Sequence, residues 1–361
     1  MEQYWQWICT NLPGDPAFLH RLLEIYQTPE QVFLVEPEQL LKRFPRQQEK
    51  LRFLCESRKH WDPEKERERL KQKEIRFISC EHPEFPERLK QIPVFPCGLF
   101  FKGMLPEEQI LSVAIVGARN CSSYGKNMAL WFGKKMAEQG VQIISGMARG
   151  IDGYGHRGAL QAGGKTFAVL GGGVDLCYPS GNRDIYMCLE EKGGTLSENQ
   201  PGMQPLPYLF PLRNRIISGL SDAVLIIEAK EKSGSLITAD FALEQGKEIY
   251  AVPGRIGDVL SSGCHNLIRQ GAGLAVSPAK LLEDLCFLPE INTNKGQKSK
   301  MTLERPENLV YSCVGLQALS LEEICSQTKL LPAEVLKILT KLELSGCIKE
   351  VYKNYYTRVL E

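Results

Sequence analysis

Five short apolar runs between residues 110 and 288 constrain the fold more than any other feature of this sequence. Each run ends in glycine or other small residues and is followed by a segment with helical spacing; the runs are SVAIVG, VQIISG, TFAVLG, AVLIIEA and EIYAVPG. Continuous apolar runs of this length are typical of strands buried on both faces, and their alternation with helices favours parallel βαβ units. The pattern therefore predicts an α/β fold class, with an extended Rossmann-like, doubly wound core at residues 110–288.

The flanking regions have different patterns. Residues 1–102 carry apolar residues at helical spacing, with prolines ending segments and no convincing strand alternation, which predicts a helical, SAM-like domain with a connector. Residues 289–307 are polar and proline-flanked and are typical of a linker. Residues 308–361 contain a short helix, a turn, a second helix and two strand-like pieces, which predicts a winged-helix-like domain.

The second helix of this terminal domain bears on what the domain would bind. It is opened by Pro332 and carries Lys337 and Lys341 against Glu334 and Glu343, so it has no positive excess with which to hold a phosphate backbone. The balance favours a contact with protein, and DNA binding stays the alternative.

Composition excludes several classes of protein. The chain has 361 residues, a net charge of +1 and 43% hydrophobic residues, as expected of an ordinary globular protein. No run of eighteen apolar residues occurs, and the twelve cysteines include no CxxC pair. We expect a cytoplasmic protein with reduced thiols, no structural metal and no membrane segment.

Two glycine-rich segments resemble nucleotide motifs without matching them. GGKT at residues 163–166 lacks the upstream glycine of a P-loop, because that position is Ala159, and it enters a strand rather than a helix. GGGVDL at residues 171–176 lacks the third glycine of the dinucleotide fingerprint. We therefore predict no nucleotide cofactor.

Four turns combine small polar residues with basic ones: GARNCSSYG, SGMARGID, PLRNRIIS and AKEKSGSLITA. Arginine donates in a planar fork that suits phosphate oxygens, and serine hydroxyls and glycine N–H groups complete anion cradles. Since the turns fall at the carboxyl ends of strands, they indicate one crevice lined for a row of phosphates. The alternative is that Gly117, Gly146 and Gly171 only allow close packing of helices on strands, and that the arginines pair with acids such as Asp152.

The order of residues from 113 to 276 closely resembles the DprA/Smf family of DNA-processing proteins. The resemblance rests on a set of positions in the core: Gly117, Arg119, Tyr124, Gly125, Ser145, Gly146, Ala148, Gly150, Ile151, Asp152, Asp175, Tyr178, Pro179, Asn182, Arg213, Asn214, Arg215, Ser218, Ser233, Gly234, Ser235, Thr238, Ala239 and the AVPG of residues 251–254. It implies a protein that binds single-stranded DNA without cutting it, forms homodimers through the Rossmann-like core, and hands the strand to a RecA-type recombinase during natural transformation.

The resemblance also implies which residues contact the strand, with Arg119 facing a phosphate. Two positions depart from the family pattern. Ser180 stands where relatives often carry a basic residue, so either Arg183 substitutes or the contact is missing, and Lys247 stands where arginine is common, which loses the bidentate fork. The candidate single-strand-binding residues are Gly117, Arg119, Ser122, Ser145, Gly146, Arg149, Gly150, Arg183, Arg213, Asn214, Arg215, Ser233, Gly234, Ser235 and Lys247. Tyr124, Tyr178 and Phe210 are the aromatic residues near these turns that could stack on bases.

A rival hypothesis is an enzyme. The core resembles, more distantly, the nucleotide phosphoribohydrolases, whose glycine-rich segment carries a catalytic glutamate. Glu244 would be the corresponding residue here, but the double-glycine and GT elements are absent. His156 and His265 are expected to be hydrogen-bonded structural residues, and no catalytic group is assigned.

Overall fold

A computed structural model describes residues 1–285, 305–315 and 318–359. The chain begins with six helices: α1 (Glu2–Asn11), α2 (Pro16–Tyr26), α3 (Pro29–Leu34), α4 (Pro37–Arg43), α5 (Gln48–His60) and α6 (Pro63–Gln72). Four of them start with proline, whose fixed φ and missing N–H suit the first helical position. Asp15, Thr28 and Asp62 cap three of these helices with side-chain oxygens. The helices enclose a core of their own around Trp7, Leu22 and Leu51.

The centre of the molecule is a nine-stranded sheet in the order β1-β2-β6-β5-β4-β3-β7-β8-β9. Seven neighbouring strands, from β6 to β9 in this order, are parallel, whereas β2 runs antiparallel to both β6 and β1. The strands are β1 (Arg76–Ser79), β2 (Gly98–Gly103), β3 (Ser112–Gly117), β4 (Gln142–Ser145), β5 (Thr166–Val169), β6 (Gly193–Ser197), β7 (Ala223–Ile227), β8 (Glu248–Ala251) and β9 (Gly273–Leu274).

Helices cover both faces of this sheet, as predicted for a doubly wound core. Val113 and Ile115 of β3 pack with the helices of one face, and Ala114 and Val116 pack with those of the other. The helices are α7 (Glu87–Lys90), α8 (Ser123–Ala137), α9 (Ile151–Gln161), α10 (Arg183–Lys192), α11 (Leu209–Gly219), α12 (Gly234–Glu244), α13 (Ser262–Arg269) and α14 (Pro278–Asp284). Since the chain winds outward from β3 through β4 and then returns to β7 on its other side, the topological switch point lies between β3 and β7.

The expectation that residues 1–102 lack strands is wrong, because β1 and β2 belong to the central sheet. Strand β2 is buried over most of its length, so its sequence GLFFKG has no alternation. Strand β6, GGTLS, was also not predicted from the sequence. It begins with two glycines because a Cβ at Gly193 would lie 1.7 Å from the carbonyl oxygen of Thr166 on the neighbouring strand.

The predicted winged-helix-like domain is confirmed. It comprises α15 (Arg305–Cys313), β10 (Leu319–Ser320), α16 (Leu321–Thr328), α17 (Pro332–Leu344), β11 (Ile348–Tyr352) and β12 (Tyr355–Arg358). The three strands form an antiparallel sheet, and Val310, Ile324 and Leu339 lie in a separate small core. The predicted linker, residues 289–307, lies outside the described residues except for its last three positions, which begin α15. Among all described helices, none is long and apolar enough to cross a bilayer.

Candidate nucleic-acid interface

A crevice of about 920 Å³ opens at the switch point, beyond the carboxyl ends of β3 and β7. Three of the four predicted turns line it, at residues 116–120, 205–214 and 230–238, and the fourth contributes only Ala148 and Asp152. The convergence follows from topology, because turns that are distant in sequence meet at one edge when their strands are parallel. We expected all four turns to line one crevice, and three of them do.

Arg119 is the exposed cation of the first turn, and it lies over an aromatic ring. Its guanidinium carbon is 5.3 Å from the ring centroid of Phe210. Phe210 in turn stacks on Tyr178, with centroids 5.8 Å apart and an angle of 29° between the rings. Within the described part of the chain, Arg119 forms no ion pair. The side chain is thus held in place by a cation–π contact while its N–H groups remain available to an anion.

Arg213 forms part of the crevice floor and is almost completely buried. Its guanidinium donates to the carbonyl oxygens of Val169 and, at 2.8 Å, Gly146, and its Nε donates to the side chain of Asn214 at 3.2 Å. Burial lowers the pKa of Arg213 to about 10, while the nearby Asp152 carboxylate opposes this shift. Arg213 therefore adds positive charge beneath the crevice, but several of its donors are already used by the protein.

Asp152 does not neutralise the crevice arginines by direct ion pairing. No ion pair within 4 Å joins it to Arg119 or Arg213 among the described residues. Burial raises the pKa of the Asp152 carboxyl, and the charges of Arg213 and Arg119 lower it in part. The pairing alternative considered from sequence thus reduces to a longer-range interaction.

The amino end of α12 forms one wall of the crevice. Ser233 caps the helix, and its hydroxyl lies 2.7 Å from that of Ser235. Gly234 is exposed, and a Cβ added there would meet no atom within 4 Å, so nothing crowds the approach of a ligand. Unpaired N–H groups and the helix dipole at such an end favour an anion.

Lys230 and Lys232 flank the same wall and were not singled out from the sequence. Both side chains are exposed, and neither takes part in an ion pair within the described residues. Both lysines belong to the AKEKSGSLITA turn, so the basic residues of that turn were the signal in the sequence that could have identified them. Together with Arg119 they place three free cations around the crevice.

The amino end of α8, by contrast, is occupied by the protein's own carboxylate. Buried Glu228 accepts a hydrogen bond from the backbone N–H of Ser122 at 2.8 Å and another from the Ser122 hydroxyl. The Ser122 oxygen also accepts from the N–H of Gly125. Ser122 lines a neighbouring cavity with Tyr124 and is absent from the lining of the crevice. The anion at this strand-to-helix turn is therefore internal.

Three further predicted residues serve the fold. Ser145 is fully buried and donates to the carbonyl oxygen of Ile115 at 2.6 Å. Arg215 is buried in an ion pair with Glu198 at 2.5 Å and does not line the crevice. Lys247 lies at the amino end of β8, which is the opposite edge of the sheet, where burial lowers its pKa. The geometry thus gives Ser145, Arg215 and Lys247 no contact with the crevice.

Three of the predicted glycines lie in close contacts that leave no room for a Cβ. A Cβ at Gly117 would lie 1.8 Å from the carbonyl oxygen of Ile227, and one at Gly150, whose φ is +77°, would lie 2.2 Å from that of Ala118. At Gly146 the added atom would lie 2.4 Å from the Arg213 guanidinium. These contacts support the packing alternative for Gly117 and Gly146, although Gly117 also lines the crevice. At Gly171, the third glycine of that alternative, an added Cβ would lie 3.1 Å from the Phe210 ring. Arg149 and Arg183 are exposed but lie outside the crevice lining.

The geometry gives little support to the enzymatic rival. Glu244 is the last residue of α12 and is exposed, about 15 Å along the helix from the end that lines the crevice. His156 is buried against the Thr166 hydroxyl at 2.7 Å, and His265 contacts the Gly254 carbonyl oxygen at 3.0 Å. Both histidines are thus hydrogen-bonded within the fold, as predicted.

The fold and the crevice define a doubly wound α/β protein with a cationic, partly aromatic cleft at its switch point. The family model described as DNA recombination-mediator protein A matches residues 76–286, and that of the DprA winged helix domain matches residues 296–351. Protein Smf of Escherichia coli is 39% identical over 294 residues, covering 79% of this chain and 78% of its own length. DNA processing protein DprA of Streptococcus pneumoniae is 44% identical over 207 residues, covering 56% of this chain and 72% of its own length. The chain therefore belongs to the DprA/Smf family of DNA recombination mediators.

Solved structures agree with this assignment. The X-ray structure of DprA from Streptococcus pneumoniae has a TM-score of 0.59 at 38% identity and covers 65% of this chain and 82% of that one. The structure of DprA from Helicobacter pylori, described for its single-stranded DNA binding mode, has a TM-score of 0.53 at 27% identity. It covers 59% of this chain and 97% of that one.

Proposed function

We propose that this protein binds single-stranded DNA in the switch-point crevice, with Arg119 as the principal phosphate contact. The observation that carries the proposal is the placement of Arg119 over Phe210, which stacks on Tyr178, in a crevice that the amino end of α12 also lines. Tyr178 is exposed and Phe210 is half-buried. Cations and aromatic rings in one groove are the elements by which proteins hold single strands without reading their sequence. The single-stranded DNA binding mode of the Helicobacter pylori relative supports the same ligand.

The crevice favours a single strand over a duplex. A flexible strand can bend its phosphates towards α12 and offer a base to Tyr178, whose side chain is 50% exposed. A stacked duplex presents no free base face and cannot follow a concave edge of a sheet. The contacts are to backbone and ring faces, so sequence preference is expected to be weak.

Two further parts of the proposal concern partners. The outer edge of the sheet, at β9, exposes Leu274 and Val276, which supports a homodimer through the core. The family's description as a recombination mediator supports delivery of the bound strand to a RecA-type recombinase. We propose that this delivery involves no bond cleavage, and the distance of Glu244 from the crevice is consistent with that.

A binding assay with Arg119→Ala tests the central proposal. Fluorescence anisotropy would measure the affinity of the full-length protein for a labelled oligonucleotide, single-stranded and then paired. We expect the native protein to prefer the single strand, and the variant to bind several different sequences more weakly by a similar factor, with a log–log salt slope shallower by about 0.7. Arg67→Ala is the matched control, because Arg67 is an exposed arginine on α6. Native affinity in the folded Arg119→Ala variant, or a loss on one sequence alone, would contradict the proposal.

A further inference from the structure

Asn182 is a buried side chain that does not line the crevice, and both of its N–H donors are in use. It ends a short 3₁₀ helix, Ser180–Asn182, and is 5% exposed. Its Nδ2 donates to the carbonyl oxygen of Met147 at 2.9 Å and to that of Ala148 at 3.0 Å. Its Oδ1 accepts from the Arg157 guanidinium at 3.2 Å. Because an amide NH₂ has two donors, Asn182 directs its whole donor capacity to one backbone turn.

The turn that Asn182 holds has an unusual backbone. Met147 has a φ of +56°, in the left-handed region that non-glycine residues rarely adopt, and its side chain is completely buried. Such a conformation persists only where the surroundings fix it. The next residue, Ala148, lines the crevice, and its N–H donates to the Asp152 carboxylate at 3.4 Å. The two hydrogen bonds from Asn182 therefore stabilise a strained turn at the edge of the crevice.

The same residue anchors the segment that carries Tyr178. Tyr178 lies four residues before Asn182, and the Asn182 N–H donates to the carbonyl oxygen of Pro179 at 3.1 Å. The Tyr178 ring is 50% exposed and stacks on Phe210. Gly146, the residue before the strained turn, lines a small cavity together with Tyr178 and Phe210. The Tyr178 segment and that turn are thus neighbours, and the Asn182 amide is a direct hydrogen-bonded link between them.

We infer that Asn182 is a positioning residue for single-strand binding, which touches no DNA itself but keeps the Tyr178 ring beside Phe210, where a base can stack. The inference rests on the proposed function of the crevice. A half-exposed ring on a loosely held segment would have to be ordered on binding, which lowers affinity, whereas a ring that is held in advance avoids that cost. Arg157 reinforces the arrangement, since it donates to Asn182 and forms an ion pair with Asp184 at 2.9 Å.

A double-mutant cycle in the full-length protein tests whether Asn182 acts through Tyr178. Fluorescence anisotropy with a labelled hexamer of deoxythymidine measures the affinity of each variant. We expect Tyr178→Ala to weaken binding about 5- to 150-fold, as for the loss of one stacked base, and Asn182→Ala to weaken it about 3- to 10-fold. In the Tyr178→Ala background, Asn182→Ala should weaken binding by less than about twofold, because no ring is left to position. Arg215→Met is the matched control, because it also breaks a buried polar contact but lies away from the crevice.

A fluorescent base gives the readout that a purely structural role would not change. The hexamer carries one 2-aminopurine, whose emission falls when it stacks on an aromatic ring, and saturating protein removes the effect of weaker affinity. We expect strong quenching with the native protein and with Arg215→Met, and brighter emission with Asn182→Ala that approaches that of Tyr178→Ala. Arg157→Met is a milder variant, because it removes the donor to the Asn182 oxygen and leaves the two carbonyl contacts, and it should brighten the emission less.

Urea unfolding at the assay temperature shows which variants are folded. Native quenching in folded Asn182→Ala, or an equal loss of affinity with and without Tyr178, would overturn the inference and leave Asn182 as a structural residue. Where Asn182→Ala does not fold, Arg157→Met decides, since brighter emission supports the inference and native emission overturns it. If Tyr178→Ala and Arg119→Ala both bind the hexamer as the native protein does, the proposed function itself fails instead.

Discussion

Replacing Glu228 by glutamine tests the conclusion that the positive end of α8 is filled from within. The Glu228 carboxylate accepts from both the N–H and the hydroxyl of Ser122, and it is buried. Glutamine has the same shape, but it brings one acceptor and one NH₂ donor, so the Ser122 hydroxyl would have to turn from donor to acceptor and both contacts would become neutral hydrogen bonds. The variant therefore removes a charge while it leaves the packing volume almost unchanged.

The expected cost can be worked from these contacts. A hydrogen bond to a charged group contributes roughly 1.5–3 kcal/mol against about 1 kcal/mol for a neutral one, and a carboxylate at a helix amino end contributes roughly 0.3–1 kcal/mol more. Two weakened contacts with Ser122 and the lost interaction with the dipole sum to about 2–4 kcal/mol in the free energy of unfolding. Urea unfolding of the full chain would measure this loss, with Glu231→Gln, an exposed neighbour, as the control.

The same variant separates this conclusion from the sequence-based expectation that Ser122 binds DNA phosphate. Because the change removes a negative charge close to the crevice, single-strand affinity should be equal or higher. In Glu228→Ala, inorganic phosphate should raise the unfolding midpoint more than in the native protein, since the vacated helix end becomes available to an anion. A loss of stability below about 0.5 kcal/mol for Glu228→Gln, or no phosphate effect in Glu228→Ala, would refute the reasoning.

Other expectations follow from the same geometry. With about four phosphate contacts per protomer, native binding of a short oligonucleotide should fall with salt at a log–log slope near −3, and a slope near zero in a salt titration would exclude phosphate-dominated binding. Deleting residues 308–361 should leave most single-strand affinity intact, because no crevice cation lies there, and a large loss in the folded truncation would contradict this. Leu274→Asp should shift sedimentation of the full chain towards monomer if β9 forms the dimer contact, and an unchanged dimer would disprove that edge. Burial lowers the pKa of His156 to about 3, so the unfolded state takes up the proton first and stability should fall by about 1.4 kcal/mol per pH unit as the pH drops from about 6.5 towards 3. His156→Gln should lack this contribution in urea titrations across pH, and an identical pH dependence would refute the assignment.

The sheet was predictable where strands are buried on both faces and stand between helices. The five apolar runs correspond to β3, β4, β5, β7 and β8, because parallel strands covered on both sides must be apolar throughout. The edge strands were not predictable by the same rule. Strand β1 has only four residues, and β2 pairs with it across a long excursion that contains α7. Their pairing depends on tertiary contacts at Phe77 and Phe100 that no local pattern records.

The site was predictable as a place but less so as a set of side chains. Topology alone brings the turns to one edge, whereas the role of an arginine depends on which way a helix turn points it. Arg213 and Arg215 are both buried near the middle of α11, but Arg213 reaches the crevice floor and Arg215 pairs with Glu198 away from it. Two residues along a helix correspond to a rotation of about 200°, so two arginines separated by one residue point to opposite sides of the helix. Hence Arg215→Met should lower stability without altering DNA affinity, whereas Arg213→Met should lower both, and equal effects of the two variants on DNA affinity would show that this assignment of sides is wrong.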